Sequence, residues 1–85
     1  MEAWKLVLDG AAFQFFVASQ ASDRRKLLSA FEQLRNKPHR EPDYWSKNST
    51  DRELSVWAVR PFLITCWLDS LTSEIRIANI QKIRF

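Results

Sequence analysis

The chain has 85 residues, which is the length of one domain with a thin hydrophobic core. Its hydrophobic fraction of 46% excludes wholesale disorder, and its single cysteine, Cys66, excludes an intrachain disulfide framework. The net charge of +3 is compatible with a nucleic acid or an acidic protein as partner but selects neither. We therefore expect one domain over residues 1–85.

The first half of the chain predicts one strand followed by helix. Apolar and polar side chains alternate over residues 3–8, which is typical of a short strand, and Asp9-Gly10 ends it. Apolar residues then recur at helical spacing in two stripes. We expect two antiparallel helices, over residues 11–19 and 23–36, with Ser22 as the cap of the second. One long bent helix is the alternative.

The second half predicts a long loop and three strands. Residues 39–51 are polar and contain Pro42, so we expect a loop there. Near-alternating polarity and many β-branched or aromatic residues then predict strands over residues 53–60, 61–69 and 74–80. Arg60-Pro61 makes the first turn between them, and residues 69–73 make the second.

The pairing of these strands predicts two different sheet faces. One face is nearly all apolar and suits packing against the helices. Its members are Ser55, Trp57, Val59, Phe62, Ile64, Cys66, Leu68, Ile75 and Ile77. The other face is mixed and carries Leu54, Val56, Ala58, Leu63, Thr65, Trp67, Arg76, Ala78 and Ile80.

Trp67 and Arg76 are expected to lie almost opposite each other on the mixed face. They form either a stacking platform for a ligand or a simple cover, in which Arg76 shields a partly buried indole. The loop aromatics Tyr44-Trp45 have two interpretations as well. Flanked by Arg40, Lys47 and Arg52, they either stack on bases or fold back as a lid on the core.

At this point the pattern resembles the RelE/ParE toxin superfamily of bacterial type II toxin–antitoxin systems. The helical part resembles the family's helical hairpin before a proline, residues 53–69 resemble its middle strand hairpin, and residues 74–80 resemble its last strand. The matching residues of the helical part are Phe15-Phe16, Arg24 or Arg25, Leu27-Leu28, Phe31, Leu34 and Pro38. The resemblance implies an α+β fold with a RelE-like four-stranded sheet: one short N-terminal strand, a helical hairpin, and a three-stranded antiparallel meander.

The resemblance also implies a function. It implies a toxin that needs no metal or cofactor and is neutralised by a cognate antitoxin protein that wraps it. One branch of the family cleaves mRNA on the ribosome through attack of a ribose 2′-hydroxyl on the adjacent phosphate. A second branch binds DNA gyrase without chemistry of its own, and an inactive, antitoxin-binding relative is a further alternative.

The candidate site residues follow from this resemblance. Arg76, Lys82 and Arg84 are the candidate catalytic cations of a metal-independent endoribonuclease, since cations stabilise the charge of a phosphorane-like transition state. Arg52, Arg60 and Trp67 are the candidate RNA-binding residues. Two departures leave catalysis open: Phe62-Leu63-Ile64 stands where nuclease members commonly have an arginine, and a late Tyr or His is missing. Lys82 and Arg84 are otherwise two solvated cations.

Several other kinds of site are excluded by the residue types present. One His and one Cys are too few for a zinc site, and one Gly is too few for a glycine-rich phosphate loop. No apolar run reaches the ~18 residues of a membrane span, and the first residues lack a signal-peptide pattern. We expect a cytoplasmic protein without cofactors that acts away from membranes.

Overall fold

The computed structural model describes residues 4–83 of the chain, which form two helices and a five-stranded sheet. The fold class is α+β, as expected. The elements in chain order are β1 (Lys5–Leu8), α1 (Gly10–Ala18), α2 (Ala21–Asn36), β2 (Tyr44–Lys47), β3 (Glu53–Val59), β4 (Phe62–Asp69) and β5 (Glu74–Lys82).

The strand order across the sheet is β1-β5-β4-β3-β2. Strands β2 to β5 form an antiparallel meander, whereas β1 pairs in parallel with β5. The sheet is therefore mixed and has five strands, and the expectation of a four-stranded sheet was wrong. The additional strand is β2, which lies inside the segment expected to be a loop. Its four residues are too few to show a period of two, although two of them are aromatic and favour a strand.

The helical segment is two helices rather than one bent helix. Ser19 ends α1, where its Oγ donates to the carbonyl of Phe15 at 2.7 Å. The second helix begins after Gln20, so Ser22 lies inside the helix and is not its cap. Asp23 does occupy the first turn, where a carboxylate interacts favourably with the helix dipole. Neither described helix has the length and apolar character needed to cross a membrane.

The helices pack on one side of the sheet, which we call the helix face; the opposite side is the open face. The core combines both layers, with Leu27, Ala30, Phe31 and Leu34 from α2 against the apolar side of β3, β4 and β5. Trp57, Phe62, Ile64, Cys66, Ile75 and Ile77 are buried there, as the alternation predicted.

Ile80 is the exception to the predicted faces. A β-bulge places Thr65 opposite Asn79 but Cys66 opposite Ile77, so β5 has one extra residue at Ala78. Beyond the bulge, Ile80 lies opposite Ile64 on the helix face and is 3% exposed. The expectation that Ile80 shares the open face with Arg76 was wrong for this reason.

Candidate nucleic-acid interface

Trp67 lies on the open face of the sheet between two arginines. Its partner across β5 is Arg76, as the alternation predicted. The Arg52 guanidinium carbon lies 3.9 Å from the centre of the Trp67 ring, and that of Arg76 lies 5.7 Å away. A guanidinium over an indole gains roughly 0.5–1 kcal/mol at an exposed position. We call these three residues the Arg–Trp–Arg cluster.

The turn between β2 and β3 positions Arg52. Asn48 Oδ1 accepts hydrogen bonds from the Thr50 backbone N–H at 3.0 Å, the Thr50 hydroxyl at 2.8 Å and the Arg52 backbone N–H at 2.9 Å. Asp51 adopts the left-handed conformation, with φ of 65°, which aspartate tolerates better than most residues. Because three donors converge on one side-chain oxygen, the turn fixes the backbone from which Arg52 reaches over Trp67.

Arg76 is held by two carboxylates. Its guanidinium lies 3.5 Å from Asp9 Oδ1 and 3.2 Å from Glu74 Oε1. The Thr72 hydroxyl donates to the same Glu74 oxygen at 2.8 Å. Asp9 precedes α1, so these contacts also connect the start of the helical layer to β5.

The two arginines therefore differ in electrostatic character. Asp9 and Glu74 compensate the charge of Arg76, whereas Arg52 forms no ion pair within residues 4–83 and its side chain is stacked on Trp67. An approaching anion meets a guanidinium at Arg52 that forms no ion pair with a described carboxylate. Arg76 is better suited to holding the edge of the Trp67 ring in place.

Lys82 does not join the cluster. It lies opposite Phe62 on the helix face, and its Nζ is 2.8 Å from Asp23 Oδ2 on α2. It is also six residues along β5 from Arg76, which corresponds to about 20 Å in a strand. The extra residue of the bulge directs Lys82 toward the helices, so the expected convergence of Lys82 with Arg76 is not seen.

The remaining candidate cations lie elsewhere. Arg60 occupies the turn between β3 and β4, at the other end of β3 from Arg52. There it lines a groove of about 290 Å³ together with Tyr44, Pro61 and Leu63. Arg84 lies outside the described residues. Of the six candidate residues, the structure thus brings together Arg52, Trp67 and Arg76.

Tyr44 and Trp45 belong to β2 and do not fold back over the core. They are 59% and 57% exposed, respectively. Trp45 pairs with Ser55 on the helix face, at a part of the sheet that the buried helical residues do not reach. The lid interpretation of these two aromatics is wrong, and both rings are accessible to a ligand.

The Arg–Trp–Arg cluster can bind an anion through a guanidinium group and can stack on a planar ligand. His39 packs edge-on against Trp4, with 5.3 Å between ring centres, and does not line the groove at Arg52. Burial raises the pKa of the Cys66 thiol to about 11, which keeps it protonated and unreactive at neutral pH. Within residues 4–83, no group of three or more His, Cys, Asp or Glu side chains is arranged to hold a metal.

Sequence reasoning missed the carboxylates that hold Arg76. The sequence pattern could have indicated Glu74 as a partner of Arg76, because residues two apart in a strand share a face. It could not have indicated Asp9, which lies 67 positions from Arg76 along the chain. The anchoring role of Asn48 had a local signal, since Asn side chains commonly accept hydrogen bonds from backbone N–H groups two residues later.

Comparison of the chain with protein-family models, with curated proteins and with solved structures finds no match. The geometry and chemistry of the site are therefore the basis for the functional assignment.

Proposed function

We propose that this protein is the toxin component of a type II toxin–antitoxin pair of the RelE/ParE kind and that it acts on RNA. The observation that carries the proposal is the Arg52 guanidinium stacked 3.9 Å above Trp67 on the open face of the sheet, without a carboxylate partner within residues 4–83. The order of strand, helical hairpin and antiparallel meander agrees with the resemblance in outline.

RNA suits this surface better than a neutral ligand does. Single-stranded RNA offers phosphates for an uncompensated guanidinium and flat bases for aromatic side chains. Arg52 and Trp67 provide both kinds of contact within one stack. The net charge of +3 adds a weak long-range attraction for a polyanion such as mRNA on the ribosome.

The chemical step receives less support than RNA binding. Cleavage by a 2′-hydroxyl needs groups that move protons and a cation beside the phosphate. Arg52 supplies the cation. Arg76 and Lys82, two of the three candidate catalytic residues, are each engaged by carboxylates.

That engagement favours one alternative, a binding-only member of the same family. Such a protein inhibits its target, for example DNA gyrase, by occupying a surface on it, or it serves as an inactive antitoxin-binding relative. Ion pairs that already compensate Arg76 and Lys82 are compatible with a purely structural role for both side chains.

The proposed antitoxin contacts the helical layer. Phe13, Val17 and Leu28 are each more than half exposed on α1 and α2. Large apolar side chains exposed on one layer of a small domain are typical of a protein-binding surface. An extended or helical segment of the antitoxin is the proposed occupant, and the cytoplasm is the proposed location of the complex.

The test compares Arg52→Ala with Lys47→Ala, a change to an exposed cation of the same strand hairpin that is paired with Asp51. Binding of a fluorescein-labelled single-stranded RNA is measured by anisotropy over a series of salt concentrations. We expect Arg52→Ala to weaken binding roughly tenfold and to reduce the slope of log affinity against log salt by about 0.7, the value for one phosphate contact. Lys47→Ala should change neither substantially.

The same variants are then expressed in cells. Relief of growth arrest by Arg52→Ala, with arrest retained by Lys47→Ala, is the expected outcome. Equal RNA affinity for wild type and Arg52→Ala would overturn the proposed site. Growth arrest by a wild-type protein that binds no RNA at any salt concentration would favour the binding-only alternative.

A further inference from the structure

A groove of about 350 Å³ lies beside the Arg–Trp–Arg cluster at the start of β3. This volume is at the low end of the range for small-ligand sites. Arg52 and Trp67 belong to both the cluster and the groove, so the two are continuous. The groove is lined by Trp45, Arg52, Glu53, Ser55, Trp67 and Leu68.

The groove exists because β2 extends the sheet beyond the helices. Trp45 lies opposite Ser55, and Ser55 in turn lies opposite Cys66, which is fully covered by the core. One strand further out, at β2, the helices no longer cover the helix face, and Trp45 is 57% exposed there. An indole face, a hydroxyl and a carboxylate are consequently presented together.

Glu53 supplies the carboxylate of this groove. Its carboxylate makes no ion pair and no side-chain hydrogen bond within residues 4–83. Lys47 lies opposite Glu53 across the ladder, but its Nζ is directed to Asp51 at 3.7 Å. A carboxylate only accepts hydrogen bonds, so its complement is a ligand with N–H donors.

We propose that this groove binds a guanine base of the RNA, with Trp45 stacked on the base and the Glu53 carboxylate on its Watson–Crick edge. Guanine alone among the four bases presents two adjacent donors there, N1–H and the N2 amino group. Adenine and cytosine place an acceptor beside their amino donor, and uracil places its single N–H between two carbonyls, so none of the three offers a carboxylate two adjacent donors. This inference rests on the proposed RNA-binding function.

In the proposed complex, Arg52 contacts the RNA backbone next to the bound base. It lines the groove and also stacks on Trp67, so it is the cation that the groove offers to a phosphate of the bound RNA. Arg52 is thereby the contact to phosphate, which carries no sequence information, whereas Glu53 reads the base.

The test uses labelled uridine heptamers in which the central residue is guanosine, inosine, adenosine, cytidine or uridine. We expect guanosine to bind at least roughly tenfold more tightly than adenosine, cytidine or uridine, as for other bidentate side-chain contacts to a base. Inosine, which lacks the N2 amino group, should fall between guanosine and the others. Equal affinity for all five probes would overturn the inference.

Variants of Glu53 and Trp45 test which side chain causes the preference for guanosine. Glu53→Gln keeps the shape of the side chain but replaces one acceptor with a donor, so the guanosine preference should disappear while binding of all-uridine RNA is unchanged. Glu41→Gln, at an exposed glutamate outside the groove, should keep the preference. Trp45→Ala should weaken binding of every probe, and Trp45→Phe should largely retain it.

The two proposals fail differently. Wild-type protein that binds every heptamer equally contradicts the guanine site and leaves RNA binding intact. Wild-type protein that binds none of them contradicts both. A guanosine preference that survives in folded Glu53→Gln contradicts the role of Glu53.

Discussion

Two tryptophans in this protein show that cation–indole contacts differ in the exposure of the charged group. Trp57 is 3% exposed on the helix face, and the Arg40 guanidinium carbon lies over its ring, 4.8 Å from the ring centre. Trp67 makes the same type of contact with Arg52, but on the open face. The contact at Trp57 closes the core, whereas the contact at Trp67 leaves a charged group accessible. Cation–indole contacts alone therefore do not mark a site.

Cys66 is the buried group whose titration is most strongly altered. Burial raises the pKa of its thiol from 9.0 to about 11, and the neighbouring Trp57 indole opposes this only weakly. The Trp57 N–H has no hydrogen-bond partner within residues 4–83, so desolvation of the thiol is the dominant cause. The folded state therefore favours the neutral thiol.

The raised pKa predicts a loss of stability at alkaline pH. Because the folded pKa lies above the unfolded value, the contribution of Cys66 is fully present below pH 9.0 and is lost as the pH rises to about 11. We expect the difference in free energy of unfolding between wild type and Cys66→Ala to shrink by up to about 3 kcal/mol over this range. Urea unfolding of both proteins at several pH values measures it. A difference that stays constant would contradict the prediction.

Among the elements, β5 shows how one residue redirects a strand. Arg76 before the bulge is on the open face, and Lys82 after it is on the helix face. An uninterrupted period of two would put both on the same face. The bulge is thus the reason that the two cations of β5, Arg76 and Lys82, lie on opposite sides of the sheet.

The extra residue predicts an asymmetry between two deletions. Removing Ala78 from β5 leaves a regular ladder in which Ile80 still lies opposite Ile64, so we expect a change within about 1 kcal/mol. Removing Thr65 from β4 turns Ile64 and Phe62 to the open face and should prevent folding. Thermal unfolding followed by circular dichroism compares the two. A Thr65 deletion as stable as the Ala78 deletion would show that the register is not fixed by the core.

Local patterns were sufficient for most elements and for part of the site. Periodicity predicted both helices, β3, β4 and β5, and the opposition of Trp67 and Arg76. It did not predict β2, because four residues between Pro42 and Asn48 carry too little pattern. The partners of Arg76 and Lys82 were also missed, since Asp23 lies 59 positions from Lys82 and its selection depends on tertiary packing.

The two proposed binding surfaces lie on different parts of the molecule. The helical layer carries the exposed apolar side chains Phe13, Val17 and Leu28, and the open face carries Arg52 and Trp67. The core of the domain separates them. A partner on the exposed apolar side chains of the helices therefore leaves Arg52 and Trp67 accessible.

This separation predicts that partner binding and RNA binding can be disrupted independently. The double variant Phe13→Ser/Leu28→Ser should lose the complex with the protein encoded by the neighbouring gene, while its RNA affinity is unchanged. Both side chains are more than half exposed, so each change should alter stability by only about 0.5 kcal/mol.

Leu71→Ser is the matched control, because Leu71 is 98% exposed in the turn between β4 and β5, away from the helices. Co-expression followed by gel filtration measures the complex. Separate elution of wild-type protein and its neighbour at micromolar concentration would contradict the antitoxin proposal. Loss of RNA binding by the double variant would contradict the separation of the two surfaces.

The parallel pairing of β1 with β5 has a consequence for how the protein is made. A ribosome synthesises β1 long before β5, and Asp9 is 67 positions ahead of its partner Arg76. Non-local pairings of this kind form late in folding. Trp67 lacks its neighbour Arg76 until β5 has been synthesised and has paired with β4. If the protein acts on RNA as proposed, the complete Arg–Trp–Arg cluster therefore forms only after this last pairing of the described sheet.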